Sequence, residues 1–200
     1  MELRTNLKEL ARDLDDVVKE QLPYALALTL TRVAMEARDH LQGNLKIHFT
    51  VRSRWVVKSI QMDKANKRDP DPTAVVGSLY DPMALHAEGG TKRPKRGMTA
   101  VPFAARPSKK AKTTLKKFPR ALLERKRFFS APVQNQPDAI GIWQRTSQRR
   151  YPIKLWWILK PEVEIKPDWP FEDEVVAVAN RELHDNFWAS LEEAWSKRKR

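Results

Sequence analysis

The chain has 200 residues and a mass of 23.3 kDa, a length that typically forms one domain. Lys and Arg number 38 against 25 Asp and Glu, so the net charge is +13, which points to a polyanionic neighbour. The chain is 41% hydrophobic, too apolar for wholesale disorder, while 14 Pro against 6 Gly predict long irregular segments.

Several chemistries are excluded at once. Cysteine is absent, which rules out disulfides, thiolate metal sites and Cys nucleophiles. The four His residues lack paired ligand spacing, so we expect no metal and no cofactor. The first residues lack the apolar run of a signal peptide, and no apolar run approaches the length of a membrane span. We therefore expect a soluble protein without a membrane partner.

The first part of the chain predicts helices. Apolar residues at three- and four-residue steps predict one helix over residues 3–22, and Pro23 then restarts the pattern. Leu26, Leu30 and Leu41 share a face of a second helix, which Gly43 should end. Residues 44–61 fit both a strand and a short helix, and we predict helix there.

The middle and the end predict a sheet followed by a long helix. Strands are expected at residues 61–65, 73–80, 139–146 and 153–159, paired mostly antiparallel. A helix is expected from about Pro170 to about Lys197, since Val176, Ala179, Leu183, Phe187 and Leu191 recur at helical spacing. Its acidic first turn and basic last turn suit the helix macrodipole.

Four tryptophans near the end are candidates for a subunit interface, in which Trp is enriched: Trp156, Trp157, Trp188 and Trp195. Burial in a second core layer explains them equally well. Trp156 and Trp157 are neighbours on one predicted strand, so they should face opposite sides of the sheet.

Between the two halves lies what we call the basic segment, residues 92–135. Residues 92–127 hold 14 Lys and Arg and one acid, Glu124, so their net charge is +13, the same as that of the whole chain. We expect the segment to be an irregular insertion because of its prolines, with a short helix near Pro119, and to contact phosphate backbones without base specificity. The candidate contacts to DNA or an acidic partner are Lys92, Arg93, Lys95, Arg96, Lys109, Lys110, Lys112, Lys116 and Lys117.

Two motifs bear on enzymatic chemistry. Glu88-Gly89-Gly90-Thr91-Lys92 fails the phosphate-loop pattern, so the glycines are interpreted as a tight turn. Pro137-Asp138 followed by Glu162-Val163-Glu164-Ile165-Lys166 is similar to the PD…ExK pattern of metal-dependent nucleases, in which carboxylates on adjacent strands hold Mg²⁺. ExK is common in charged chains, and a surface strand between turns is the better interpretation.

The order of several features is similar to that of a phage protein family. They are the Leu/Ala-rich helices, Trp55-Val56-Val57-Lys58-Ser59-Ile60, Ala74-Val75-Val76-Gly77, the stretch His86-Ala87-Glu88-Gly89-Gly90-Thr91-Lys92-Arg93-Pro94, and Arg149-Arg150-Tyr151-Pro152-Ile153 before a final helix. This order resembles the minor tail protein Z, or tail completion, family of long-tailed bacteriophages. Residues 104–135 and the tryptophan-rich strand have no counterpart in the resemblance.

The resemblance implies a virion structural protein, without enzymatic activity, at the head-tail junction. It implies a ring, such as a hexamer, that contacts the tail terminator, tail tube and head connector proteins, with phage DNA as a further partner. The location would be the virion, and the host cytoplasm during assembly. A nucleic-acid-binding protein outside the virion and a metal-dependent nuclease remain the alternatives.

We therefore expect a single α+β domain over residues 1–200. In it, N-terminal helices and a long C-terminal helix pack on a mostly antiparallel sheet that carries the basic insertion.

Overall fold

The computed structural model describes residues 21–95, 97–106 and 111–198, together with Lys19 and Ser108. The helix expected over residues 3–22 lies almost wholly outside the described residues. The described chain forms two compact units. The helical unit comprises the described residues up to Leu45, Trp55–Tyr80 and the chain from Pro170 onward; the sheet unit comprises Lys46–Arg54 and Asp81–Trp169. The single-domain organisation stays a prediction.

Two long helices dominate the helical unit. Helix α1 spans Leu22–His48 and the terminal helix, α5, spans Phe171–Arg198, so both predicted helices are confirmed. They run antiparallel, because Tyr24 near the start of α1 accepts a hydrogen bond from Lys197 near the end of α5 (2.7 Å), while His40 lies 3.6 Å from Glu174. Gly43 does not end α1, which continues for one more turn.

Several polar contacts join α1 and α5. Arg32 donates to Ser190 Oγ (3.0 Å) and forms an ion pair with Glu193. Thr29 and Glu36 both hydrogen-bond Asn186. Both helices also have small buried side chains, such as Ala25 and Ala37 of α1 and Ala194 of α5. Val178 of α5 is buried, whereas Val176, Leu183, Trp188 and Trp195 are 55, 46, 53 and 44% exposed.

A short helix and a hairpin complete the helical unit. Helix α2 spans Arg54–Lys58, and strands β1 (Ile60–Asp63) and β2 (Val75–Ser78) pair antiparallel. The turn-rich Asp69-Pro70-Asp71-Pro72 lies between them, as its residue types predict. The side chain of Gln42 in α1 donates to the carbonyl of Ile60 (2.9 Å), which fastens the hairpin to the helix.

The sheet unit contains a four-stranded antiparallel sheet. Its strand order is β4 (Thr99–Pro102), β7 (Ile153–Lys160), β6 (Gln136–Arg145) and β5 (Phe128–Val133). A separate pair joins β3 (Gly90–Lys92) to β8 (Val163–Ile165), and helix α3 (Pro82–Ala87) precedes β3. The α+β class with antiparallel sheets is therefore confirmed.

The basic segment contributes both edge strands of this sheet, so the expectation of an irregular insertion is wrong for β4 and β5. Each of these strands contains a proline, Pro102 and Pro132. Proline argues against a central strand, but an edge strand tolerates it because one row of its amides bonds no neighbour. The expected short helix is present as α4 (Pro119–Leu123), preceded by a 3₁₀ turn at Leu115–Lys117.

A β-bulge changes the orientation of the tryptophan pair. Ile142 pairs with Trp157, whereas the next residue of β6, Trp143, pairs with Leu155, so Trp156 is an extra residue in β7. Two residues that oppose one at a bulge do not alternate strictly between faces. Trp157 is 3% exposed in the core, and Trp156 packs against the same cluster. The prediction that they face opposite sides is wrong for this reason.

Among the residues described, no helix is both long and apolar enough to cross a membrane.

Candidate nucleic-acid interface

Apolar side chains fasten the basic segment to the four-stranded sheet. Ala105 and Leu122 from the segment are fully buried beside Ile142 and Trp157 of the sheet. The Phe118 ring stacks on the Trp157 indole, with centroids 6.0 Å apart and planes 20° from parallel. The segment therefore has a fixed underside that belongs to the core.

A hydrogen bond places the cationic 3₁₀ turn directly over this core. The indole Nε1 of Trp157 donates to the backbone carbonyl of Lys117 at 2.8 Å. The guanidinium of Arg125 donates to the carbonyl of Lys116 at 3.0 Å, which closes the next loop onto the turn. Since the core holds the backbone of the turn, the exposed side chain of Lys116 is directed to solvent. Lys117 on the same turn is half-buried, and Lys112, just before the turn, is exposed.

A partly buried arginine joins the basic surface. Arg106 donates from Nε to Thr113 Oγ1 at 3.3 Å. Two effects lower the pKa of the Arg106 guanidinium: burial is the larger, and the positive charge of Arg52 is the smaller. Two like charges held close together are relieved by a bound anion. Arg52 was not a sequence candidate, because it lies far upstream of the basic segment and only the fold brings it there.

The aromatic residues of the segment divide into two groups. Phe103 and Phe118 are 69 and 43% exposed, so part of each ring is accessible for stacking on a base. Phe128 contacts Trp156 edge-to-face (5.4 Å), and the Arg145 guanidinium covers Phe129 (5.3 Å). These latter two rings belong to the sheet.

The first cations of the segment lie on or just after β3. Lys92 ends that strand opposite Val163, and exposed Lys95 follows shortly after it. Arg93 Nε lies 3.2 Å from Glu162 Oε2, so its charge is partly compensated. Arg96, Lys109 and Lys110 lie outside the described residues.

The glycine pair before β3 forms a tight turn. Helix α3 is capped by Glu88, whose backbone N–H donates a hydrogen bond to the carbonyl of Ala84. Gly89 and Gly90 follow, with φ of +79° and +135°. A Cβ on Gly89 would lie 3.0 Å from Pro167 Cδ. Both the backbone angles and the close approach require glycine, as the turn interpretation predicts.

The structure does not bring the PD…ExK residues onto adjacent strands. Asp138 is on β6, whose partners are β5 and β7, whereas Glu164 is on β8, which pairs with β3. The expectation that these carboxylates lie on adjacent strands is therefore wrong. Within the described ranges, no group of three or more His, Cys, Asp or Glu is placed to hold a metal ion.

The tryptophan candidates have different surroundings. Trp157 is buried in the core, which was the alternative to a subunit interface. Trp156 is half-buried and donates from Nε1 to Gln144 Oε1 (2.8 Å). Trp188 and Trp195 are about half exposed on α5 and stay candidates for a subunit interface.

Comparison with protein-family models, curated proteins and solved structures gave no match to this chain.

Proposed function

We propose that this chain is a virion structural protein that completes the head-proximal end of a long phage tail. In this proposal it forms a ring at the head-tail junction, contacts the tail terminator, and turns its basic segment toward DNA. The family assignment depends on the sequence resemblance. The DNA contact depends on one structural observation: the cations Lys112 and Lys116 are exposed on or beside a turn whose backbone accepts a hydrogen bond from a buried tryptophan.

The chemistry of that surface suits passing DNA. Lysines that neutralise phosphates release condensed counterions, which gives affinity without reading the bases. A nonspecific contact of this kind lets DNA slide past during ejection. The scaffold fixes where the charges lie, since Leu122 and Ala105 are fully buried beneath them. The proposed role is assembly rather than turnover.

DNA binding by the purified chain tests the contact. A variant with Lys112, Lys116 and Lys117 replaced by Ala should bind duplex DNA more weakly. Its log K against log salt slope should also become shallower by about 0.9 for each lost phosphate contact. The matched control replaces three exposed cations of the helical unit, Lys58, Lys64 and Arg68, which lowers the net charge equally. Equal effects of both variants would contradict a localised DNA surface.

Position in the particle tests the assembly role. We expect gold label on an epitope-tagged copy at the head-tail junction of purified particles from the phage or prophage that carries the gene. Infectious particles that contain none of the protein would overturn the proposal. If the chain then still binds DNA, the alternative of a nucleic-acid-binding protein outside the virion takes its place.

A further inference from the structure

The terminal helix α5 has a partly exposed apolar stripe that borders its contact with α1. The stripe consists of the exposed Val176, Leu183, Trp188 and Trp195 and the half-buried Phe187 and Leu191. These positions recur at helical spacing and so lie on one broad side of the helix. The polar contacts to α1 come from the adjacent side of α5, through Asn186, Ser190 and Glu193. An exposed apolar surface that contains two tryptophans is typical of an interface.

The exposed residues of the stripe are placed symmetrically along α5. Val176 and Trp195 are equally far from the point between Asp185 and Asn186, and so are Leu183 and Trp188. If a second α5 lies antiparallel with a two-fold axis at this point, Val176 meets Trp195 and Leu183 meets Trp188. Each pair sets a smaller aliphatic residue against a large aromatic one, which favours close packing.

The charges at the two ends favour the same antiparallel direction. The first turn of α5 is acidic, with exposed Glu172 and Asp173, and the sequence at its other end is Lys-Arg-Lys-Arg from Lys197. Two antiparallel copies place the acidic end of each beside the basic end of the other. Two parallel copies would place like charges together.

A groove beside the stripe offers room for a side chain of the second copy. Its volume is about 590 Å³, and its apolar walls come from Leu26 and Leu30 of α1 and from Leu183 and Phe187 of α5. Trp188 of the second copy, opposite Leu183, would lie at this groove. We propose that two copies of the free chain associate through α5, antiparallel, with Trp188 of each copy entering the groove of the other.

The size and symmetry of this contact define what kind of association it is. A helix of this length is about 42 Å long and about 10 Å wide, so two such helices bury on the order of 800 Å² together. That is below the size of a standard stable interface, so the dimer should depend on concentration. A two-fold contact closes on itself and does not propagate around a ring. The dimer therefore belongs to the free chain and does not depend on the proposed function.

Sedimentation equilibrium over a concentration series tests the association. We expect the mass to rise from 23.3 kDa toward twice that value. Trp188→Glu should weaken the dimer at least about tenfold, because it places a charge in an apolar groove. Ile47→Glu is the matched control, since Ile47 is an apolar residue, 76% exposed, that lies on α1. A 23.3 kDa species at every concentration would overturn the proposal.

Single cysteines test the antiparallel register, because the chain has none of its own. His184→Cys lies near the proposed axis, with its two copies about 4.5 Å apart along the helices, so a short bismaleimide should join them. Ala177→Cys should not join to itself, because its two copies would be about 26 Å apart, but should join to Trp195→Cys in a mixture. Equal self-joining at both positions would indicate parallel helices and overturn the proposal.

Discussion

Replacing Leu122 by Ala tests whether the basic segment is part of the sheet core. Leu122 is fully buried beside Trp157, Ile142 and Ala105. The substitution removes three carbon atoms, which costs about 2.4 kcal/mol in transfer free energy at about 0.8 per carbon, and a cavity adds to this. We expect the free energy of unfolding to fall by about 3 kcal/mol.

The assay is urea unfolding followed by tryptophan fluorescence, since two of the seven tryptophans, Trp156 and Trp157, lie in or against this core. With a slope of about 2 kcal/mol per molar urea, the midpoint should fall by about 1.5 M. The next residue provides the control: Leu123 is 43% exposed, and Leu123→Ala should change the free energy of unfolding by less than about 0.5 kcal/mol. Equal shifts in the two variants would refute the claim that the segment is anchored through Leu122.

Two further predictions concern one position in each unit. Gly141→Ala would place a Cβ 2.8 Å from Cε2 of Trp143, so we expect the free energy of unfolding in urea to fall by about 1–3 kcal/mol. The control is Gly43→Ala, which has open space around it and should be neutral or stabilising. Similar losses in both variants would be evidence against the clash. Hydrogen bonds lower the pKa of Glu193, the one from Lys197 most strongly and the one from Arg32 next. The ionised carboxylate therefore stabilises the fold at pH values above its ordinary pKa. This contribution is lost as the pH falls through the lowered pKa. Glu193→Gln should therefore flatten the acid side of the melting temperature against pH, and an unchanged acid side would count against this assignment.

The helices and the central strands could be predicted because their signals are local. Apolar residues of α1 and α5 repeat at helical spacing, β7 is rich in β-branched and aromatic residues, and β6 contains Ile140, Ile142 and Trp143. The end of α1 was misplaced because Gly43 is tolerated inside a helix when the surrounding residues continue the pattern.

Features that depend on partners distant in sequence could not be predicted. The edge strands containing Pro102 and Pro132 depend on which neighbour each strand pairs with. The shared core of Trp156 and Trp157 depends on a bulge, which has no local sequence signature here. The cationic candidates were recognised by composition alone, but the approach of Arg52 to Arg106 required the folded chain.

The anchoring of the basic segment links its charge to the stability of the fold. Cations on a folded scaffold are held closer together than in an extended chain, so their repulsion opposes folding of the sheet unit. A polyanion that binds the folded form alone shifts the folding equilibrium by mass action. The hydrogen bond from Trp157 to Lys117 connects the core to this charged surface. Binding of a polyanion to this surface would therefore raise the melting temperature of the sheet unit.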